Sequence, residues 1–217
     1  DYYGDTATTT FYIYRADLSI TAAIDDWTYG SESSVPSFTA NGGLPDGAGT
    51  VYYYYFGSSY DGSWNYEYAD RNLVAPTLAG EYKMIAVVAQ TDNYKRAESA
   101  EAEFAIAKAD YAEAEFDMSG WTENGGVYYV VYDGNAHSPV LAALPVGLDG
   151  AEVAVEYSGS VTNVADGEVT VTARLSSDSS NYNAPGEVTV VVAVSPRAAE
   201  AVWTTEYVYN GKAQTPT

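Results

Sequence analysis

The stretch Tyr132-Asp133-Gly134-Asn135-Ala136-His137-Ser138-Pro139 decides how the chain reads, because it is written more than once. Near the C-terminus it returns as Tyr209-Asn210-Gly211-Lys212-Ala213-Gln214-Thr215-Pro216, and near the N-terminus, more loosely, as Tyr29-Gly30-Ser31-Glu32-Ser33-Ser34-Val35-Pro36. In all three, Tyr and Pro stand seven residues apart. Asp-Gly and Asn-Gly supply positive φ at low steric cost, and Pro keeps the restart extended. The unit reads as a strand ending on a buried ring, a tight turn and a new extended segment. Three occurrences in 217 residues mark a repeat protein.

Working outward, each motif belongs to a larger pattern. Phe11 and Ile13 alternate with Tyr12 and Tyr14 within residues 6–14. Phe104 and Ile106 do the same after Ala100 and Ala102, and so do Val188, Val190, Val192 and Val194. These read as three closing strands, each preceded by a turn on tyrosine: Tyr2-Tyr3-Gly4, Asn93-Tyr94 and Asn181-Tyr182. The segment 97–116 is rich in Ala and Glu and also fits a helical face, but its two sister segments fit only strands. The repeat decides for strand. Val51, Tyr53, Tyr55 and Gly57 match Val153, Val155, Tyr157 and Gly159, and Gly80-Glu81-Tyr82 matches Gly167-Glu168-Val169.

The expected organisation is all-β: tandem Ig-like β-sandwich, or β-grasp-like, modules arranged end to end. Residues 1–16 read as the closing strand of a preceding repeat and 17–108 as module 1, with an inserted aromatic hairpin at 58–72. Residues 109–197 read as module 2 and 198–217 as the start of a following repeat. A second hairpin is expected at 118–127, and the short linkers Lys108-Ala109-Asp110 and Pro196-Arg197-Ala198 suggest a stiff rod. A chain that opens on Asp1 and ends inside a repeated motif is expected to be an excerpt of a longer protein.

Composition narrows the function. The chain holds 9 Lys and Arg against 30 Asp and Glu, a formal net charge of −21. A surface of that sign repels phosphate backbones, so nucleic acid is not an expected partner; it keeps an extended molecule soluble. There is no Cys, which excludes disulfides, thiolate metal sites and cysteine nucleophiles. No apolar run reaches the length of a membrane span, so no membrane insertion is expected of this segment.

The residues quoted above, with Trp27-Thr28-Tyr29-Gly30 and Ala79-Gly80-Glu81-Tyr82, resemble the tandem YDG/MBG-type repeats of bacterial surface proteins, adhesins among them. The resemblance covers nearly all of the chain except the two hairpins. Module 1 departs from it, since Tyr29-Gly30 lacks the intervening Asp or Asn. The resemblance implies all-β modules strung in arrays on the outside of a bacterial cell, with neighbouring repeats of the same protein as partners and no catalytic residues.

Chemistry-bearing groups are few. His137 is the only histidine and its sister positions hold Ser34 and Gln214, residues unable to act as a base, so no enzyme is expected. The pair Asp25-Asp26 reads as solvated surface. Asp-rich turns could hold a structural calcium, although no EF-hand spacing occurs, so the metal ligands stay unknown; no other cofactor is expected. None of Lys83, Lys95, Lys108 and Lys212 sits where an isopeptide bond would need it. The most suggestive group is aromatic: with Val51, Tyr53 and Tyr55 facing a core, Tyr52, Tyr54 and Phe56 face outward beside Trp64, Tyr66 and Tyr68. Those rings could stack on a glycan or pack on a host or bacterial surface protein, or the hairpin could fold back and cover them as a second small core. The reading is a non-enzymatic spacer of an adhesin-like surface protein. The alternatives are a glycan- or protein-binding module using Tyr52, Tyr54, Trp64, Tyr66 and Tyr68, and a subunit of an extracellular surface layer or filament.

Overall fold

The runs Val51–Ser59 and Gly80–Val88, rich in aromatic and apolar residues and buried on both faces over part of their length, form the two long strands on which the first half of the chain is built. The computed structural model describes Gly4, residues 7–199 and Gly211 with Lys212. Thirteen strands follow in order: β1 Ile20–Ala23, β2 Trp27–Thr28, β3 Ser37–Ala40, β4 Val51–Ser59, β5 Asn65–Tyr66, β6 Gly80–Val88, β7 Ala97–Glu98, β8 Ala102–Ala107, β9 Thr122–Asn124, β10 Val127–Val131, β11 Ala154–Ser158, β12 Val169–Ser176 and β13 Glu187–Ser195. Among the described residues only two short 3-10 turns, Tyr68–Asp70 and Val164–Asp166, interrupt the β structure. The protein is an all-β sandwich fold. Two compact units form. Unit 1 comprises residues 1–112, 146–152 and 177–185, and unit 2 comprises residues 113–145, 153–176 and 186–217. The loops at 146–152 and 177–185, read from sequence as parts of module 2, thus belong to unit 1.

In unit 1 the main sheet runs β2-β8-β6-β4-β5, with β7 on β6, and a second sheet pairs β1 with β3. Between them lie Tyr55, Tyr82, Met84, Phe104 and Ile106, continued by Ile20, Ala86, Val88 and Ala97. Unit 2 has the order β11-β12-β13-β10-β9 around Val161, Val171, Val192 and Val194. Both units share one uncommon pairing. β2 lies parallel to β8, and β10 lies parallel to β13, while the remaining neighbours are antiparallel. The amide of Tyr29 donates to the Ala107 carbonyl and that of Tyr132 to the Ser195 carbonyl, both at 2.9 Å.

Of the segment 97–116, residues 97–98 and 102–107 are strand, with Phe104 and Ile106 buried, while 110–115 form neither strand nor helix. Residues 7–15 differ from expectation. They form no strand, and Phe11 and Ile13 are 78% and 89% exposed. Alternation supplies a face but not a partner, and an unpaired strand is not stable in water. Among the described residues the segment's only β partnering is the bridge of Ala16 with Tyr94.

Gly57 and Gly159 sit at matching close backbone approaches in the two units, each with a positive φ. A Cβ on Gly57 (φ +111°) would stand 2.5 Å from the Glu81 carbonyl oxygen, and one on Gly159 (φ +92°) 2.5 Å from that of Thr170. Aligning Gly80-Glu81-Tyr82 with Gly167-Glu168-Val169 would set Gly159 beside Val169; it crosses instead at Val171, two residues along. The matched glycines therefore keep their contact but not their register.

Positive φ and a backbone clash act together at these two sites, whereas Gly134 (φ +84°) meets nothing closer than 4.0 Å. Gly159→Ala is expected to destabilise unit 2 by about 3 kcal/mol or more, and Gly134→Ala by about 1–2 kcal/mol. Denaturant unfolding of both variants checks the order, and equal losses would contradict it.

Candidate functional site: an aromatic groove in unit 1

The inserted segment after β4 turns at Asp61-Gly62 and returns as β5, pairing only with Gly57 and Ser58. Asp61 builds that turn by accepting hydrogen bonds from the Ser59 hydroxyl at 2.6 Å and from the Ser63 amide at 2.9 Å. The returning chain rises beside one face of the main sheet. That face carries Tyr52, Tyr54 and Phe56 from β4, Lys83, Ile85 and Val87 from β6, and Glu103 from β8, with Phe56, Lys83 and Glu103 in one cross-strand row. A groove of about 490 Å³ lies between face and hairpin. Its floor holds Phe56, Ser58, Glu81, Lys83 and Glu103; its wall is Asn65, Tyr66, Glu67 and Tyr68.

The five aromatic candidates have different fates. Phe56 is buried with Ile85 and Val87 in a second small core, and Tyr54 and Tyr66 pack against it. Trp64 leaves the face altogether and packs edge-on to Tyr82 of the main core, with ring centroids 5.2 Å apart. Tyr68 stands edge-on to Phe56 at 5.2 Å and remains 42% exposed, as does Tyr52. The covering reading thus holds for Tyr54, and Trp64 is a core residue. Tyr66 and Tyr68 line the groove, and Tyr52 lies outside it.

Arg71 was not singled out in the sequence, yet it organises one end of this face. Its guanidinium carbon lies 4.7 Å from the Tyr68 ring centroid and 5.2 Å from that of Tyr54. Its Nη2 pairs with Glu98 Oε1 at 2.9 Å, and the Tyr68 hydroxyl donates to Glu98 Oε2 at 2.9 Å. Arg96 pairs with the same carboxylate. Lys83 is shared between Glu101 at 2.8 Å and Glu103 at 3.2 Å, which raises its pKa.

The turn motifs are structural. Gly30, Gly134 and Gly211 have φ of 79°, 84° and 76°, so the module 1 turn matches its sisters without an Asp or Asn before its glycine. Tyr209, Asn210 and Pro216 lie outside the described residues. Pro139 is buried and Pro36 half-buried. Tyr29 packs edge-on to Tyr182 at 5.7 Å, whereas Tyr132 is 40% exposed and not a buried ring, because no other ring stacks on it among the described residues. His137 Nε2 lies 2.8 Å from Asp133 Oδ1, within the turn itself.

Several turn carboxylates spend their oxygens on their own turns. Asp133 accepts from the Asn135 amide and side chain and then from His137, which lowers its pKa to about 2. Asp166 accepts from the amides of Asn163 and Thr162, and Asp61 from Ser59 and Ser63; both are likewise lowered. Among the described residues no group of three or more His, Asp or Glu is placed to hold a metal ion.

No protein-family profile matches the sequence, and comparison with characterised proteins finds no relative.

Depressed carboxylate pKa values stabilise the folded state above the unfolded value near 4, and that contribution is lost as pH falls through the folded value. Thermal midpoints are therefore expected to hold steady down to about pH 4 and to fall between about pH 4 and 2. Asp133→Asn should flatten part of that fall. A midpoint that rises on acidification would contradict the assignment.

Proposed function

We propose that the chain is a structural segment of a bacterial cell-surface repeat protein, a spacer built of Ig-like β modules that carries other parts of its parent away from the cell. One observation carries this reading: the backbone of unit 1 contains the same bridge twice. Ala16 donates to the Asn93 carbonyl at 2.8 Å and accepts from the Lys95 amide at 3.0 Å. Ala109 donates to the Asn181 carbonyl at 3.0 Å and accepts from the Asn183 amide at 2.8 Å. Each alanine follows a basic residue at the same place in the repeat pattern, Arg15 or Lys108. A linker residue hydrogen-bonded on both its polar groups is what a load-bearing array needs, and a free tether would leave those groups to water. The acidic surface suits the role, since it discourages self-association.

A second reading, that unit 1 also binds a ligand, is favoured by the groove. It is walled by Tyr66 and Tyr68, which a spacer does not require.

Antibodies against the chain are expected to label intact cells of the source bacterium. Replacing residues 17–197 in the parent protein by two unrelated β modules of similar length should preserve surface display of the parent. Labelling only after lysis, or loss of display on replacement, would contradict the spacer reading.

A further inference from the structure

We propose that the groove between the inserted hairpin and the sheet face of unit 1 is a docking site for an arginine side chain, carried on a basic peptide segment of a partner protein. This rests on the second reading above, that unit 1 binds a ligand, and names the class.

Three carboxylates, Glu67, Glu81 and Glu103, line the groove against one cation, Lys83. Lys83 is already neutralised by Glu101 and Glu103, so the groove's surplus charge is negative. Glu81 accepts from the Tyr60 hydroxyl at 3.1 Å, and the Glu67 carboxylate has no partner among the described residues. A neutral sugar can donate its hydroxyls to these carboxylates but leaves their charge unbalanced, and an anionic one is repelled by it and by the −21 charge of the chain. A cation is drawn in on both counts.

The same face already shows how it holds such a group. Arg71 lies within about 5 Å of the centroids of the Tyr54 and Tyr68 rings and pairs with Glu98. The groove sets Tyr66 beside Glu67, Glu81 and Glu103, the same two ingredients, whereas Tyr68 already carries Arg71 and Phe56 is buried. A planar guanidinium can stack on a ring and present its edge to a carboxylate at once, which an ammonium cannot. At about 490 Å³ the groove has room for the side chain and its flanking backbone.

The test titrates the full chain with an acetylated Arg-Gly-Gly repeat peptide, its citrulline counterpart and cellohexaose, read by tyrosine and tryptophan fluorescence and by calorimetry. Arginine peptide binding that weakens with salt, and by at least about tenfold with citrulline, is expected. Tyr66→Ala, which leaves the charge unchanged, and Glu67→Lys, at an exposed and unpartnered position, should each weaken it by about tenfold or more. Glu32→Lys, a charge-matched change at another exposed site, should not. Equal binding of the citrulline peptide, or binding indifferent to Glu67→Lys and Tyr66→Ala, overturns the proposal as general attraction to an acidic surface. Cellohexaose binding without peptide binding overturns the arginine assignment and leaves a ligand-binding unit 1. If neither binds, the proposal and the second reading fall together.

Discussion

The side chain of Asn181 is buried at 7% exposure, and the loops of unit 1 are arranged around the hydrogen bonds it makes. Its Oδ1 accepts the Ala79 amide at 3.0 Å, and its main-chain carbonyl accepts Ala109. Its own amide donates to the Ser179 hydroxyl, which in turn donates to Asp149. The neighbouring Tyr182 stacks on Tyr111 at 4.4 Å, meets Tyr29 edge-on and accepts the Leu148 amide on its hydroxyl at 2.8 Å. A buried polar group of this kind is costly when unpaired, so the network holds together or fails together. Leu148 is held by it in turn, lying where any side chain on Gly30 would stand.

With the linker alanine and its turn so fixed, the main sheet of unit 1 is left with two working faces. One meets the β1–β3 sheet and forms the core around Met84 and Ile106. The other would be bare aromatic surface, and the inserted hairpin resolves that by sending Trp64 to the first core and Tyr66 to the second. What it leaves behind is a groove in which rings and carboxylates alternate. The insertion thus adds a groove without disturbing the strand order that β2, β8, β6 and β4 share with β10, β13, β12 and β11.

Much of the fold was legible because turn chemistry is local. Asp61-Gly62, Asp133-Gly134 and Asp166-Gly167 all put glycine at positive φ, and the repeat overruled the helical look of 97–116 correctly in its first half, where 97–98 and 102–107 are strand. Pairing is not local, and there the sequence misled. Residues 7–15 alternate as cleanly as any strand but lack a partner among the described residues, and Gly159 slips two residues against its neighbour strand. The outward alternation of Tyr52, Tyr54 and Phe56 was correct, yet burial of Phe56 depended on a hairpin whose direction no pattern records. Arg71 escaped notice because its partners, Tyr54 and Glu98, are distant in sequence. The separation of Asn181 from Ala79 by 102 residues, and from Asp149 by 32, hid the network in the same way.

Hydrogen exchange at two alanine amides tests the account most directly. The amides of Ala16 and Ala109 are expected to exchange far more slowly than those of Tyr12 and Tyr14 in the exposed segment. Asn181→Ala should then speed Ala109 by about tenfold or more and leave Ala16 unchanged. Ala109 exchanging as fast as Tyr12 in the unaltered chain, or unmoved by the substitution, would contradict the duplicated bridge on which the account rests.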